Sequence, residues 1–269
     1  MASFSIVNNV ASVNAQANLS ATSLGLNKAL TRLSSGLRIN NSGDDAAGLA
    51  VANQYRSDVA ILNQGIRNAN DGLSTLQTRD SALNNISTLL DRLATLATQA
   101  SSSSNGASVS TLSDEYGKII EEIDRQAAVA GLDATWDFSV FVSAEATTAN
   151  GVISESSIGA VDSSSLGLTA TSFTDAAGAQ AALAEVTTAI ASLGDVQNSV
   201  GILQNRLQFA ISLAQAQVVN TRAAESRIRD ANIAEESANL TRFNILTQSG
   251  IAALAQANQS SAAVLALLR

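Results

Sequence analysis

The sequence predicts a mainly α protein with a small β-containing insert, in which both chain halves build a long antiparallel helical coiled-coil rod. Three observations carry this. The 269 residues include 49 Ala and no Pro, so the best helix former abounds and the strongest helix breaker is missing. Apolar residues recur at alternating steps of three and four in both halves of the chain, the spacing of a coiled-coil seam. Between about residues 132 and 175 that spacing stops, and Ser, Thr, Gly and short alternating runs take over.

The first helix shows Leu26, Leu30, Leu33 and Leu37. Ser34-Ser35-Gly36 and then Asn40-Asn41-Ser42-Gly43 end it. Asp44-Asp45 supply an N-cap and first-turn acids for the next helix. Its seam reads Tyr55, Val59, Leu62, Ile66, Ala69, Leu73 and Leu76, with Asp80 at the following position. Leu83 to Ile86 break the alternation once, and Leu90, Leu93, Ala97 and Ala100 resume it. From Asp44 to Ala100 this makes a rod of roughly 85 Å at about 1.5 Å per residue. A rod with one apolar stripe needs partner helices.

Ser101 to Gly106 reads as a loop, and Leu112, Tyr116, Ile119, Ile120 and Ile123 as a shorter amphipathic helix. Trp136, Phe138, Val140 and Val142 alternate with their neighbours as a strand does. The partners of the rod follow. Val186, Ile190, Leu193, Val200, Leu207, Ile211, Ala214 and Val218 share one stripe, with Gln197 and Gln204 interrupting it. Leu240, Phe243, Leu254, Ala257, Val264 and Leu268 share the last, with Thr247, Gly250 and Ser261 between them. The organisation expected is a terminal helical coiled coil (1–43 plus 226–269), a helical rod (44–130 plus 179–225) and an outward-facing β/loop insert (131–178).

Charge is unevenly placed. Lys and Arg total 15 and Asp and Glu 23, a net charge of −8. Residues 1–43 hold no acid, and residues 243–269 hold one charged side chain, Arg269. From Gln126 to Asn205 there are eight acids and no base. The middle is expected to face water while the two ends bury against something.

The same composition excludes most chemistry. With no Cys there is no disulfide, thiol nucleophile or Cys-based metal site, and with no His the commonest general base and zinc ligand is gone. Asp44-Asp45, Asp114-Glu115, Glu121-Glu122 and Glu235-Glu236 are neighbours whose side chains diverge on a helix, so none is an acid/base pair. Arg222, Arg227 and Arg229 sit beside Glu225 and Asp230, the pattern of a salt-bridge face. No phosphate loop, dinucleotide fingerprint or zinc signature occurs. The reading is no enzyme and no cofactor. An acidic chain lacks the basic face of a nucleic-acid binder. No apolar run is long enough for a membrane span. No cleavable Sec-type leader is expected from Met1 to Ile6.

Two segments carry a resemblance. Ser34-Ser35-Gly36-Leu37-Arg38-Ile39-Asn40, followed by Asp44-Asp45-Ala46-Ala47-Gly48-Leu49-Ala50, resembles the N-terminal signature of bacterial flagellin. Ser226-Arg227-Ile228-Arg229-Asp230-Ala231-Asn232, then Ala255 to Gln259 and Leu265 to Arg269, resembles its C-terminal signature. The resemblance covers roughly 1–130 and 180–269. It implies a structural subunit of the extracellular flagellar filament, used for swimming motility. The terminal helices would form the inner tube and the insert would face outward. It also implies passage through the flagellar type III export channel, an export chaperone on the C-terminal segment, and hook-associated and cap proteins as neighbours. A hook–filament junction protein is the alternative, since it shares terminal coiled coils of this kind.

Physics gives the assembly a mechanism. Terminal helices without a mate gain little from their seams and should order on assembly. The residues expected to pack between subunits are Ile6, Val10, Val13, Leu24, Leu240, Phe243, Leu254, Val264 and Leu268. Few charges on these ends allow dense packing without buried unpaired ions. The homopolymer needs heterologous rather than two-fold contacts. The flagellin resemblance further implies candidate contacts for the innate receptor Toll-like receptor 5 at Arg92, Leu96 and Gln99, with Glu115 on the next helix. Asp91, Ala94 and Thr95 depart from the pattern there, and Trp136 to Ser139 departs from the family's Phe-Asn-Gly.

Overall fold

The computed structural model describes residues 9–102, 109–143, 151–169 and 172–267, with the side chains of the last helix described as far as residue 259. Among the described residues there are five helices and two strands: α1 (Val10–Ser35), α2 (Ala46–Ser101), α3 (Val109–Ala130), β1 (Trp136–Phe141), β2 (Val152–Ile158), α4 (Ala176–Arg229) and α5 (Ile233–Leu267). This is the mainly helical fold with a small β insert that the composition predicts. Two compact units make up the chain: residues 58–220, and residues 1–57 with 221–269.

The unit of residues 58–220 closes one continuous apolar core from α2, α3, α4 and the β segment. On α2 the seam positions buried in this core are Val59, Leu62, Gly65, Ala69, Gly72, Leu76, Leu83, Ile86, Leu90, Leu93, Ala97 and Ala100, with Leu96 buried beside them. With half-buried Arg79 included, they alternate threes and fours without a break from Gly65 to Ala100. The seam therefore runs through Gly65, Gly72 and Arg79 where the apolar pattern predicts Ile66, Leu73 and Asp80. Those three are only half-buried, and the expected break at Leu83–Ile86 disappears. On α4 the seam is Ala179, Ala182, Val186, Ala189, Leu193, Val196, Val200, Leu203 and Leu207. Ala189 replaces Ile190, which is exposed, and Val196 and Leu203 stand beside Gln197 and Gln204.

The glycines on α2 have a spatial cause. Strands β1 and β2 pair antiparallel, Trp136 with Ile158 and Phe141 with Val152, with a bulge between Trp136 and Phe138. This hairpin lies directly on α2. A Cβ on Gly65 would collide with the Val142 carbonyl oxygen, and one on Gly72 would come 2.8 Å from Val140 and 3.1 Å from the Phe138 ring. Two turns further, the Arg79 guanidinium stacks on Trp136, 3.7 Å from the ring centroid. Burial lowers the pKa of Arg79, and the ring face gives its charge a partner. Tyr116 of α3 packs edge-on against Phe173 at 5.3 Å, and the Ser113 hydroxyl accepts a 3.0 Å bond from the Phe173 amide. Burial pushes the Tyr116 phenol up to about 12.

The second unit is simpler. Helix α1 opens on Asn9, whose side chain accepts from the Ser12 amide at 3.1 Å. It closes on Gly36 in the left-handed conformation (φ 71°), whose amide returns to the Arg32 carbonyl at 2.9 Å. Asp45 caps α2 by accepting from the Gly48 amide at 2.8 Å, the role its position predicts. Asp44 turns back, accepting from the Asn40 and Asn41 amides and pairing with Lys28 at 2.7 Å.

Candidate assembly interface

The two signature segments meet in the structure. Leu37 and Asp230 form an antiparallel bridge. The Arg38 amide donates to the Arg229 carbonyl at 2.6 Å, and the Ala231 amide to the Gly36 carbonyl at 2.9 Å. The Arg38 guanidinium caps the end of α4 by donating to the Ile228 carbonyl at 2.8 Å. This short lattice sets α1 and α5 side by side in opposite directions.

Their register can be followed residue by residue. Arg32 pairs with Glu236 at 3.0 Å. Gly25 faces the Phe243 ring so closely that a Cβ would sit 2.7 Å from it. Gly250 faces Leu19. The Asn9 side-chain Nδ2 donates to the Ala257 carbonyl at 2.9 Å, and the Ser12 hydroxyl to Asn258 Oδ1. The pairing is uninterrupted from one end of α1 to the other.

Each helix offers the pairing one narrow stripe. On α1 it is Leu19, Thr22, Leu26, Ala29 and Leu33, stepping three and four. Leu30, expected in this stripe, is exposed, because Ala29 lies on the contact side. On α5 it is Leu240, Phe243, Thr247, Gly250, Leu254 and Ala257, all partly buried. Leu240, Phe243 and Leu254 thus sit between two helices of the same chain.

Outside these stripes, apolar side chains of both helices are bare. Val10, Val13 and Leu24 are 65%, 62% and 73% exposed. On α5, Ile233, Ile245, Leu246 and Ile251 are exposed as well. The sequence reading did not single out these four. The available signal was apolar residues off the three-four stripe, which make a helix apolar on two sides and so in need of two partners. Ile6 and Leu268 lie outside the described residues, as does the side chain of Val264.

The candidate receptor residues fall in the other unit. Arg92 and Glu115 meet across α2 and α3, the guanidinium placing Nη2 at 2.6 Å and Nε at 3.1 Å from one carboxylate oxygen. Gln99 is exposed two turns further along α2. Leu96, 1% exposed, faces the core.

No helix among the described residues is long and apolar enough to cross a membrane. No group of three or more metal-ligating side chains occurs there. What the arrangement offers is an exposed apolar surface.

Comparison with known proteins addresses the chain as a whole. The family model for the bacterial flagellin N-terminal helical region matches residues 6–133, and that for the C-terminal helical region matches residues 183–268. A flagellin of Halalkalibacterium halodurans is 37% identical, over 98% of this chain and 99% of that one. A flagellin of Bacillus subtilis is 33% identical over the same shares. The crystal structure of Bacillus cereus flagellin, 29% identical, has a TM-score of 0.45 over 59% of this chain and 94% of that one.

Proposed function

The chain belongs to the bacterial flagellin family and is a structural subunit of the flagellar filament, and we propose that it assembles through the bare outer faces of α1 and α5. The observation that carries this is the half-finished packing of that unit. One stripe of each helix is used within the chain, while Val10, Val13, Leu24, Ile245, Leu246 and Ile251 are left to water. Monomeric soluble proteins rarely leave contiguous apolar surface of this kind uncovered. A second copy of the same helices supplies uncharged apolar surface to match.

Assembly in this reading is coupled to ordering. A two-helix pair buries one seam and holds its ends weakly. Neighbouring copies would enclose both helices and fix them. Ile6, Val264 and Leu268 would join the same packing. The terminal helices form the inner tube of the filament, and the insert of residues 131–178 faces outward. The contacts are heterologous, so they propagate into an open helix.

The remaining expectations rest on family resemblance. Subunits reach the cell exterior through the flagellar export channel. A chaperone holds the C-terminal segment before assembly, and hook-associated and cap proteins bound the polymer. The chain performs no catalysis. Arg92, Gln99 and Glu115 form a surface for Toll-like receptor 5, supported from beneath by Leu96.

Deleting residues 1–35 tests the assembly mechanism. Seeded polymerisation followed by electron microscopy should show no filaments, while circular dichroism shows the 58–220 helices intact. Filaments from the truncated chain would overturn it.

A further inference from the structure

Helices α1 and α5 each contain a single glycine, Gly25 and Gly250. Glycine inside a helix costs stability relative to alanine, so each calls for a local reason. Both lie on the pairing side, and each receives a large apolar side chain from the other helix. At Gly25 the Phe243 ring fills the place of a Cβ, which would lie 2.7 Å from Cε1 and Cζ. At Gly250 a Cβ would lie 3.2 Å from Leu19 Cδ1. The two contacts run in opposite senses, with one knob from each helix.

The rest of the seam does not choose an alignment. Leu19, Leu26 and Leu33 recur every seven residues, as do Leu240, Thr247 and Leu254. Sliding one helix by a heptad keeps these rows facing one another. The glycines do not recur. A heptad slip would set Phe243 against Asn18 or Arg32 in place of Gly25, and each has a side chain where the ring now lies. The slip would also part Arg32 from Glu236. The clash therefore falls on the wrong alignments alone.

We infer that Gly25 with Phe243, and Gly250 with Leu19, are positioning residues for assembly, because they admit one alignment of α1 against α5. Val13 and Leu24 stand bare on α1, and Ile245 and Ile251 on α5. The alignment fixes which of them lie at the same height, and so the surface that the paired helices present. This rests on the filament reading above and deepens it. Gly25 carries the larger share, since a rigid ring yields less than the end of a leucine.

The chain contains no cysteine, and Ser12 Oγ lies 2.9 Å from Asn258 Oδ1. The pair S12C/N258C therefore reports the alignment in the monomer as the yield of an intrachain disulfide on mild oxidation. G25A should cut that yield at least fivefold. In an F243A background there is no ring to displace, and G25A should change the yield less than twofold. Full yield in G25A overturns the inference, as do equal losses in the two backgrounds. Without the cysteines, G25A should raise the critical concentration for polymerisation at least tenfold. G194A, whose added methyl group meets nothing within 4 Å, should leave it unchanged. G25A filaments at the unmodified concentration overturn the role in assembly. If the unmodified chain itself fails to polymerise, the filament reading falls, and the disulfide yields of the monomer still decide the alignment.

Discussion

Residues 58–220 and the terminal unit use the same three-four pattern to different ends. In the first, α2 meets α3, α4 and a hairpin, and the core closes with Leu83, Ile86, Leu90, Leu93 and Leu203 sealed from water. In the second, α1 pairs with α5, and among the described residues the buried apolar positions are Ala29, Ile39 and Ala52. The difference lies in the number of partners, not in the quality of the pattern. A helix that is apolar on two sides inside a two-helix unit is incomplete, and incompleteness suits a polymer subunit. One region is built to be stable alone and the other to be finished by a neighbour.

The sharpest way to break that comparison is to remove equal amounts of apolar side chain from each region. Leu90→Ala should destabilise the monomer by about 3 kcal/mol, the usual cost of an unrelaxed core cavity. Leu24→Ala should change monomer stability by less than about 0.5 kcal/mol, as exposed substitutions do. Denaturant unfolding of the monomer measures both. Equal costs would mean that Leu24 is buried in the free chain. The same Leu24→Ala variant should polymerise only at higher concentration.

The hairpin seat gives the next largest effect. Gly65→Ala drives a methyl group into the Val142 backbone, and neither strand nor helix can yield easily; the loss should be about 2 kcal/mol. Gly194→Ala meets nothing within 4 Å and lies within α4. It should stabilise by about 0.5–1 kcal/mol, because alanine narrows the unfolded ensemble and favours the helix. Thermal unfolding of the two variants should therefore move in opposite directions. Arg79→Met keeps the stem and removes the charge over Trp136, for a loss of about 1 kcal/mol.

These positions mark where the sequence is readable and where it is not. The helices, the insert, the Asp45 cap and the stop at Gly36 follow from local rules, and all are present. Three seam positions of α2, Gly65, Gly72 and Arg79, lie one residue before those the apolar pattern predicts. Apolarity marks burial only where there is a side chain, and Gly65 and Gly72 have none. They are buried because a hairpin 70 residues away presses on them, which no local window contains. Arg79 was hidden for the same reason, its burial depending on Trp136. On α1 the error ran the other way: Leu30 looks like core but lies outside, and Ala29 inside, because a close helix pair favours the smaller residue. The exposed apolar residues of α5 lie off its three-four stripe, so the seam pattern does not point to them.

Electrostatics in the terminal unit offers the finest test. Lys28 and the Asn40 and Asn41 amides hold the Asp44 carboxyl at about 2, well below its ordinary 3.8. A depressed pKa in the folded state means that folding favours the ionised form. Its contribution is therefore present in full above pH 4 and is lost as pH falls toward about 2. Asp44 ties α1 to the start of α2, so the loop of residues 36–45 should loosen in that window before the closed core of residues 58–220 responds. NMR titration of the Asp44 carboxyl, read beside the amide signals of Asn40 and Asn41, should give one shared midpoint. In Lys28→Met the midpoint should rise toward the ordinary value, because the lysine is the largest single cause of the shift. A midpoint unmoved by that substitution would leave the amides as the main anchor and make the α1–α2 link a property of the loop alone. The region that awaits a neighbour would then depend on backbone geometry rather than on charge.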